Sequence, residues 1–83
     1  MVFPLYSIRD SLVGYGVPFC ADNDAVAMRY FNQAISQPNS IYQMNKNQFD
    51  LYCVGEYDNQ SGEIDSKAPR FICSATDFGN DKE

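Results

Sequence analysis

The sequence contains no histidine and no tryptophan. Without histidine there is no Ser–His–Asp or Cys–His catalytic arrangement, and no histidine metal site. A glycine-rich phosphate loop is also missing, because Gly14 and Gly16 fit neither the GxGxxG nor the GxxxxGK[ST] pattern. No acid–base constellation stands out. The sequence therefore supports no enzymatic function, no cofactor and no metal centre.

Cysteine is scarce, and its spacing favours no disulfide. Cys20, Cys53 and Cys73 are an odd number, lie far apart and form no CxxC pair. All three lie in apolar stretches, where a reduced cysteine behaves as a small core residue. We therefore expect three reduced core residues; a disulfide or a reactive thiol is the alternative.

Positive charge is scarce as well. The chain has 6 lysines and arginines against 11 acidic residues, for a formal net charge of −5. Binding to phosphate relies on dense lysine and arginine, so this balance argues against a general polyanion binder. A few basic residues gathered on one face would still permit binding to nucleic acid.

Long apolar runs are absent too. No stretch is long enough to span a membrane, and the first residues lack the basic start and long apolar middle of a signal peptide. We therefore expect the protein in the cytoplasm of the cell that makes it. At 83 residues we expect one domain, residues 1–76, followed by a short polar tail, residues 77–83. Chains of this size often gain stability by forming oligomers.

What the chain does contain is a clear hairpin over residues 49–64. Apolar, aromatic and polar residues alternate from 49 to 57, which predicts a strand with Phe49, Leu51, Cys53 and Tyr57 on its core face. The following DNQSG sequence is typical of a turn closed by glycine. Gly55 inside the strand indicates a bulge or a close backbone approach. We expect the acidic residues around the turn to be solvated, although a divalent-cation site or an acidic contact surface would also use them.

The other elements complete a small α+β fold. Residues 3–10, 15–20 and 70–75 are predicted strands, the last with Phe71, Cys73 and Ala75 on one face. Asp22 is the predicted N-cap of a helix that runs to about Ser36. Its apolar stripe is Val26, Ala27, Tyr30, Phe31, Ala34 and Ile35. We therefore predict a largely antiparallel sheet of about four strands in ββαββ order, with the helix packed on one face.

One helix cannot cover both faces of such a sheet, so the other face is expected to be open. The pattern assigns to it residues among Tyr6, Ile8, Tyr52, Val54 and Ile72. Aromatic rings on an open sheet can stack single-stranded bases, and Tyr6 and Tyr52 are the candidates. Alternatively such rings belong to the core or to a dimer interface. The candidate phosphate partners are Arg9, Arg29 and Arg70, which could instead form exposed ion pairs, such as Arg70 with Asp50.

Three blocks of the sequence, taken together, point to a known family. The blocks are YSIRD (6–10) followed by GVPF (16–19), AMRYF (27–31) leading to QPN (37–39), and LYCVGEYD (51–58) followed by SGEI (61–64). In order and spacing they resemble the small nonstructural protein of gokushoviruses, the Microviridae subgroup of single-stranded DNA phages. That family typically shows an A-I-R-x-F helix and an L-x-x-I-G-x-F-D-x-x-T-G hairpin. Here the family residues are replaced conservatively by Met28, Val54, Tyr57 and Ser61.

The resemblance implies a nonenzymatic accessory protein that is absent from the finished particle. It would bind single-stranded DNA during genome replication or packaging in the host cytoplasm. We further expect a symmetric homodimer, formed through sheet edges or the open face. Arg9, Arg29 and Arg70 would meet phosphates, while Tyr6 and Tyr52 would stack bases. The alternative is a protein-interaction module, in which the open face or the acidic surface docks on a host or phage replication or assembly protein.

Overall fold

The computed structural model describes residues 1–37 and 45–78. Its elements, in chain order, are β1 (Val2–Asp10), β2 (Gly14–Tyr15), β3 (Phe19–Cys20), α1 (Asp24–Ile35), β4 (Phe49–Asp58) and β5 (Ile64–Ser74). Short 3-10 helices at Lys46–Gln48 and Ala75–Phe78 precede β4 and follow β5. Across these residues the protein is a small α+β protein with one α-helix and a curled antiparallel sheet, as predicted. The predicted ββαββ order is not confirmed, because three strand segments precede the helix.

The sheet has the strand order β2–β1–β4–β5, and β3 also pairs with β1. All pairs are antiparallel. β1 runs along the whole of β4, from Val2 opposite Asp58 to Asp10 opposite Phe49. The two strands at the centre of the sheet therefore come from the beginning and the second half of the chain.

The strand predicted at residues 15–20 is divided into β2 and β3. Tyr15 pairs with Arg9, whereas Phe19 pairs with Tyr6. Directly paired residues of an antiparallel sheet share a face, and Arg9 and Tyr6 are three positions apart, so they lie on opposite faces. Tyr15 and Phe19 therefore lie on opposite faces although they are four residues apart. The break falls at residues 16–18, where Pro18 has no amide hydrogen for the ladder.

The register shifts at three places along the sheet, once between β1 and β4 and twice between β4 and β5, and two of these shifts change the alternation near the core. Tyr6 pairs with Cys53 and Leu5 with Gly55, which leaves Val54 as the extra residue in β4. Leu51 pairs with Cys73 and Tyr52 with Phe71, which leaves Ile72 as the extra residue in β5. One extra residue inverts which side chains face the core beyond it.

The bulge that Gly55 predicts is confirmed, and so is the close backbone approach. A Cβ atom at residue 55 would collide with the backbone carbonyl oxygen of Asp65 and would lie 3.2 Å from the Cα of Ser66. The two strands of the β4–β5 hairpin therefore depend on glycine at this position. The predicted turn is also present: Gly62 has a φ of 80°, and its amide donates to the Asp58 carbonyl oxygen at 2.8 Å.

The helix begins one residue later than the predicted cap implies. Asn23, and not Asp22, is the N-cap, and its side-chain oxygen accepts a hydrogen bond from the Val26 amide at 2.9 Å. The prediction was wrong because Asn23 has the extended backbone that immediately precedes the first helical residue, so its side chain reaches the free amides. Asp24 lies in the first turn, where its charge favours the helix dipole.

Helix α1 packs one stripe of residues onto the sheet. Ala27, Phe31 and Ile35 are buried, while Tyr30, which was predicted in the same stripe, is 48% exposed. The buried core cluster comprises Tyr6, Ala21, Ala27, Phe31, Ile35, Phe49, Leu51, Cys73 and Ala75. We call the sheet face in this cluster the covered face and the opposite one the open face.

The predicted membership of the two faces is wrong at several positions. Tyr6 belongs to the core cluster, and Ile8 and Ile72 pack against it, so all three lie on the covered side. Phe71 was predicted to share a face with Cys73, but the bulge at Ile72 turns it to the open face beside Tyr52. The extra residue Val54 likewise places Tyr57 on the face opposite to the core residues of β4.

Beyond the core, the β4–β5 hairpin continues as a mostly exposed arm, and β5 is exposed at every residue from 64 to 71. Among the described residues, no helix is both long and apolar enough to cross a membrane. Asp77, from the predicted tail, accepts a hydrogen bond from the Ser74 amide at 2.9 Å. Residues 79–83 of that predicted tail lie outside the described residues.

Candidate nucleic-acid interface

Three aromatic side chains form a line across the open face. Tyr15 of β2, Tyr52 of β4 and Phe71 of β5 are in ring contact, with centroid distances of 5.6 Å for the first pair and 5.7 Å for the second. Both contacts are edge-to-face, with interplanar angles of 76° and 77°. We call these three residues the aromatic row.

The strand register brings the aromatic row together. Tyr52 is paired with Ser7 on one side and with Phe71 on the other, and Tyr15 is paired with Arg9. β1 lies between β2 and β4, so a large side chain at residue 7 would stand between the two tyrosines. Ser7 is small and almost completely buried, and its hydroxyl donates to the Gly16 carbonyl oxygen at 2.9 Å. The small residue allows the Tyr15 and Tyr52 rings to meet above β1.

The aromatic row is accessible to solvent. Tyr15 is 47% exposed and Phe71 is 54% exposed, while Tyr52 between them is half-buried. Helix α1 covers the other face, and nothing within the described residues covers this one to a similar degree. Exposed aromatic rings aligned on a rigid sheet are a surface on which unpaired bases can stack.

Arg9 adds a positive charge at one end of the row. Its guanidinium carbon lies 5.9 Å from the centroid of the Tyr15 ring, within the range of a cation–π contact. Asp50 is paired directly opposite Arg9 and shares its face. This end of the open face therefore carries one positive and one negative side chain, so the aromatic rings are its dominant feature.

The five residues predicted to bind nucleic acid do not lie on one surface. Arg9 and Tyr52 are together on the open face. Arg29 is exposed on helix α1, and Arg70 pairs with Cys53 on the covered side of the sheet. Tyr6 has no exposed surface at all. Tyr6 and Arg70 are therefore separated from the aromatic row by the sheet itself.

Tyr6, Asp24 and Arg70 form a cluster of their own at the start of helix α1. The Tyr6 hydroxyl donates to Asp24 Oδ1 at 2.6 Å. The Arg70 guanidinium donates to both carboxylate oxygens, at 3.1 and 3.2 Å. Asp50 is the ion-pair partner of Arg70 suggested by the sequence, but the partner in the structure is Asp24. This cluster joins the helix to β1 and β5.

The charges in this cluster shift each other's titration. The hydrogen bond from Arg70, and after it the one from Tyr6, lowers the pKa of the Asp24 carboxyl below its ordinary value. Burial, followed by the hydrogen bond to Asp24, raises the pKa of the Tyr6 hydroxyl. The hydrogen bond to Asp24 also raises the pKa of Arg70. All three shifts favour a carboxylate held between a neutral tyrosine and a charged arginine.

Tyr15 and Phe71 are not among the site residues that the sequence predicts. Tyr15 was assigned to a continuous strand with Phe19, and Pro18 was the available sign that the strand is interrupted. Phe71 was assigned to the core face because the bulge at Ile72 has no glycine to reveal it. The sequence signal that Tyr15 and Phe71 share with Tyr52 is an aromatic side chain within a predicted strand.

A hollow of about 250 Å³ lies beside β2, on the side of the sheet that carries Ile8 and Phe49. Its walls include Ile8, Val13, Tyr15 and Phe49, with Asp10 at the same place. Close by, the β1–β2 turn and the segment after it expose three aliphatic side chains: Leu12 by 75%, Val13 by 85% and Val17 by 88%. These three aliphatic side chains form a second exposed apolar region near β2.

The described residues offer little other chemistry. All three cysteines are free, with Cys20 exposed, Cys53 half-buried and Cys73 buried. The core location predicted for them is confirmed for Cys73 and wrong for Cys20. Burial raises the pKa of the Cys73 thiol to about 11, which disfavours the reactive thiolate. Within residues 1–37 and 45–78 there is no group of three or more His, Cys, Asp or Glu side chains that could hold a metal ion.

Comparison with known proteins identifies the family. The model of the family described as phage ORF5 protein matches residues 3–78, which is most of the chain. The chain belongs to the phage ORF5 protein family. No curated protein and no solved structure matches it. The phage origin that the resemblance implied is thereby confirmed at the level of a phage protein family.

Proposed function

We propose that this phage ORF5 family protein is a nonenzymatic accessory protein of the gokushovirus type. It binds single-stranded DNA during genome replication or packaging, through base stacking and not through recognition of base edges. The observation that carries this proposal is the aromatic row, with Tyr15 and Phe71 about half exposed on the uncovered face of the sheet. Exposed apolar surface of this kind contributes little to folding and is typical of binding sites.

The geometry favours unpaired strands over duplex DNA. In a duplex both faces of an interior base are already occupied by its neighbours, so a ring on a protein surface has no base face to contact. Single strands can turn their bases outward onto the rings. Base–aromatic stacking contributes roughly 1–3 kcal/mol per base.

Phosphate contacts play a small part in this proposal. Of the three candidate arginines, Arg9 alone lies on the open face, since Arg29 is on the helix and Arg70 is paired with Asp24. The net charge of −5 also opposes attraction of a polyanion from a distance. Stacking therefore supplies most of the affinity, and Arg9 supplies one phosphate contact.

The test is fluorescence anisotropy of a labelled thirty-base single strand and of its duplex, titrated with the protein. We expect tighter binding to the single strand, and a weakening on Tyr52→Leu of roughly 5- to 150-fold, equivalent to about 1–3 kcal/mol. Tyr30→Leu is the matched control, because Tyr30 is as exposed as Tyr15 but lies on helix α1. Circular dichroism checks that both variants fold.

Three outcomes would contradict the proposal. The first is no binding at high protein concentration and low salt. The second is equal binding to single strand and duplex. The third is an equal loss of affinity in the Tyr52→Leu and Tyr30→Leu variants, which would place the contact away from the open face.

The proposal includes a homodimer that acts in the host cytoplasm and is absent from the finished particle. What supports a dimer is the outer edge of β5, which no other described strand pairs, since an unpaired edge is a template for a further strand. Lys67 and Pro69 in the same strand would limit such pairing to a defined length. Sedimentation equilibrium over a wide concentration range checks the dimer, and a monomer throughout would refute it.

A second candidate function is a protein-docking module, which the exposed Leu12, Val13 and Val17 favour. Their partner would be a basic host or phage replication or assembly protein, because the chain itself is acidic. Cross-linking in infected cells, with the double variant Leu12→Ser, Val13→Ser as the comparison, tests this function. It predicts loss of a specific partner in the variant, whereas the DNA-binding function predicts an unchanged affinity for single strands.

A further inference from the structure

We infer that the aromatic row selects single strands whose neighbouring bases are not stacked on one another, and therefore favours thymine tracts over adenine tracts. This inference rests on the proposed binding of single-stranded DNA. It adds the class of strand that the surface accepts. It is carried by the angles between the three rings.

Neighbouring rings of the row are nearly perpendicular. The planes of Tyr15 and Tyr52 meet at 76°, and those of Tyr52 and Phe71 at 77°. Bases that stack along a strand are parallel to each other, with about 3.4 Å between them. A parallel stack cannot lie flat on two surfaces that are perpendicular. A strand that contacts the whole row must therefore separate its bases.

The protein cannot easily turn its rings to match a stacked strand. Tyr52 is in edge-to-face contact with both neighbours, and such contacts are a preferred arrangement of aromatic rings, contributing about 0.5–1.5 kcal/mol each beyond burial. Tyr52 also stands on the central strand β4, which β1 and β5 hold on both sides. The DNA must therefore change its conformation and separate its bases to fit the rings.

The cost of that adjustment depends on the base. Purines, with their two fused rings, stack strongly on each other, so an adenine tract must break its own stack to bind. Thymine tracts stack weakly and are flexible, so they present separated bases at little cost. Preferences of this origin come from stacking strength and backbone flexibility, without hydrogen-bond readout.

The polar groups beside the row offer little readout of base edges. The Ser7 hydroxyl is buried and already donates to the Gly16 carbonyl oxygen. Asp50 lies opposite Arg9, and Arg9 lies over the Tyr15 ring. Discrimination between bases is therefore left to their stacking.

The test compares labelled thirty-base thymine and adenine strands by fluorescence anisotropy with the intact protein at one salt concentration. We expect the thymine strand to bind about tenfold more tightly, a difference of about 1.4 kcal/mol, which is within the stacking contribution of a single base. The ratio should fall on warming, because the adenine stack loosens. In Tyr52→Leu, which removes both perpendicular contacts, the ratio should approach one, while Tyr30→Leu should keep it.

The possible failures are distinguishable. Equal binding of the two strands, or tighter binding of the adenine strand, would overturn the inference and leave the proposed function standing. A thymine preference that persists in Tyr52→Leu would also overturn it, since the preference would then arise elsewhere. No binding of either strand would overturn the proposed function itself.

Discussion

Tyr6 and Tyr52 stand on neighbouring central strands of the same sheet, yet their surroundings are opposite. Tyr6, on the covered face, has no exposed surface and donates its hydroxyl to Asp24 at 2.6 Å. Tyr52, on the open face, is half-buried and contacts two further aromatic rings that are themselves about half exposed. The same residue type therefore stabilises the fold on one side and belongs to an exposed aromatic surface on the other.

The difference shows that the helix, and not the residue type, decides what an aromatic side chain does in this sheet. Where α1 covers the sheet, a buried hydroxyl must find a partner, because burying a polar group without one is costly. Where no element of residues 1–37 or 45–78 covers the sheet, exposed aromatic side chains gain little from folding and remain accessible. Substitutions matched across the two faces test this division.

The largest expected effect is on packing. Phe31→Ala, which empties the centre of the core cluster, should lower the free energy of unfolding by about 3–5 kcal/mol. Phe71→Ala should lower it by only about 0.5–1.5 kcal/mol, because it loses a ring contact at an exposed site. Urea denaturation followed by circular dichroism measures both. Similar losses in the two variants would mean that the open face is also covered.

The second largest effect on stability is expected from removing the hydroxyl groups of Tyr6 and Tyr52. Tyr6→Phe removes the hydrogen bond to a charged carboxylate and should cost about 1.5–3 kcal/mol of stability. Tyr52→Phe keeps the ring on the open face and should leave both stability and single-strand affinity close to those of the parent protein. The same urea measurement decides between them. A cost for Tyr52→Phe as large as that for Tyr6→Phe would break the comparison.

A smaller effect is expected from acid. The folded pKa of Asp24 lies below its ordinary value of 3.8, chiefly because of Arg70, so its carboxylate stabilises the protein above that pH. The contribution is lost as the pH falls through the folded pKa. Because the ion pair is about half exposed, solvent screening keeps its contribution modest.

The measurement is the stability of Asp24→Asn and the parent protein between neutral and acidic pH. The variant should be less stable at neutral pH, and the difference should narrow below about pH 4. Asp22→Asn, two residues earlier at an exposed position, is the matched control. If the stability difference between Asp24→Asn and the parent protein stayed constant down to acidic pH, the carboxylate charge would contribute nothing to stability.

The smallest expected effect is on salt dependence. Each phosphate neutralised on a single strand contributes about −0.7 to the slope of log affinity against log salt. Arg9→Gln should therefore make the slope shallower by about 0.7, while Arg70→Gln, on the other side of the sheet, should leave it unchanged. Equal changes in both variants would place the DNA across an edge of the sheet and not on the open face.

The sequence was sufficient to predict the local elements. Turn residues at 58–62 and glycine at 55 each express a local preference, and each is found where it was predicted. The apolar stripe of α1 is confirmed at Ala27, Phe31 and Ile35, but not at the exposed Tyr30. The cap was misplaced by one residue, because Asp22 and Asn23 have equal intrinsic preference for that position and the backbone decides between them.

The faces of the sheet could not be predicted, because their assignment depends on counting residues. Val54 and Ile72 each add one residue to a strand, and the break before Phe19 does the same to the edge strand. Each extra residue moves the side chains that follow it to the opposite face of the sheet. The sequence does not reveal an extra valine or isoleucine, because both are ordinary strand residues. This is why Phe71 was placed on the wrong face, while Tyr52 was placed correctly.

The exposed arm of the β4–β5 hairpin has a consequence for how the chain tolerates insertions and deletions. From Ile64 to Phe71 every residue of β5 is exposed, so the end of the arm supports none of the core. Matched pairs of residues could be added to or removed from both strands near the turn without changing which side chains face which way. Removing Ile72 alone would shift the whole arm by one residue and turn Phe71 towards the covered side, taking the aromatic row apart with it. We therefore expect insertions and deletions in this hairpin to occur near the turn, with equal numbers of residues in both strands. We expect none beside the aromatic row.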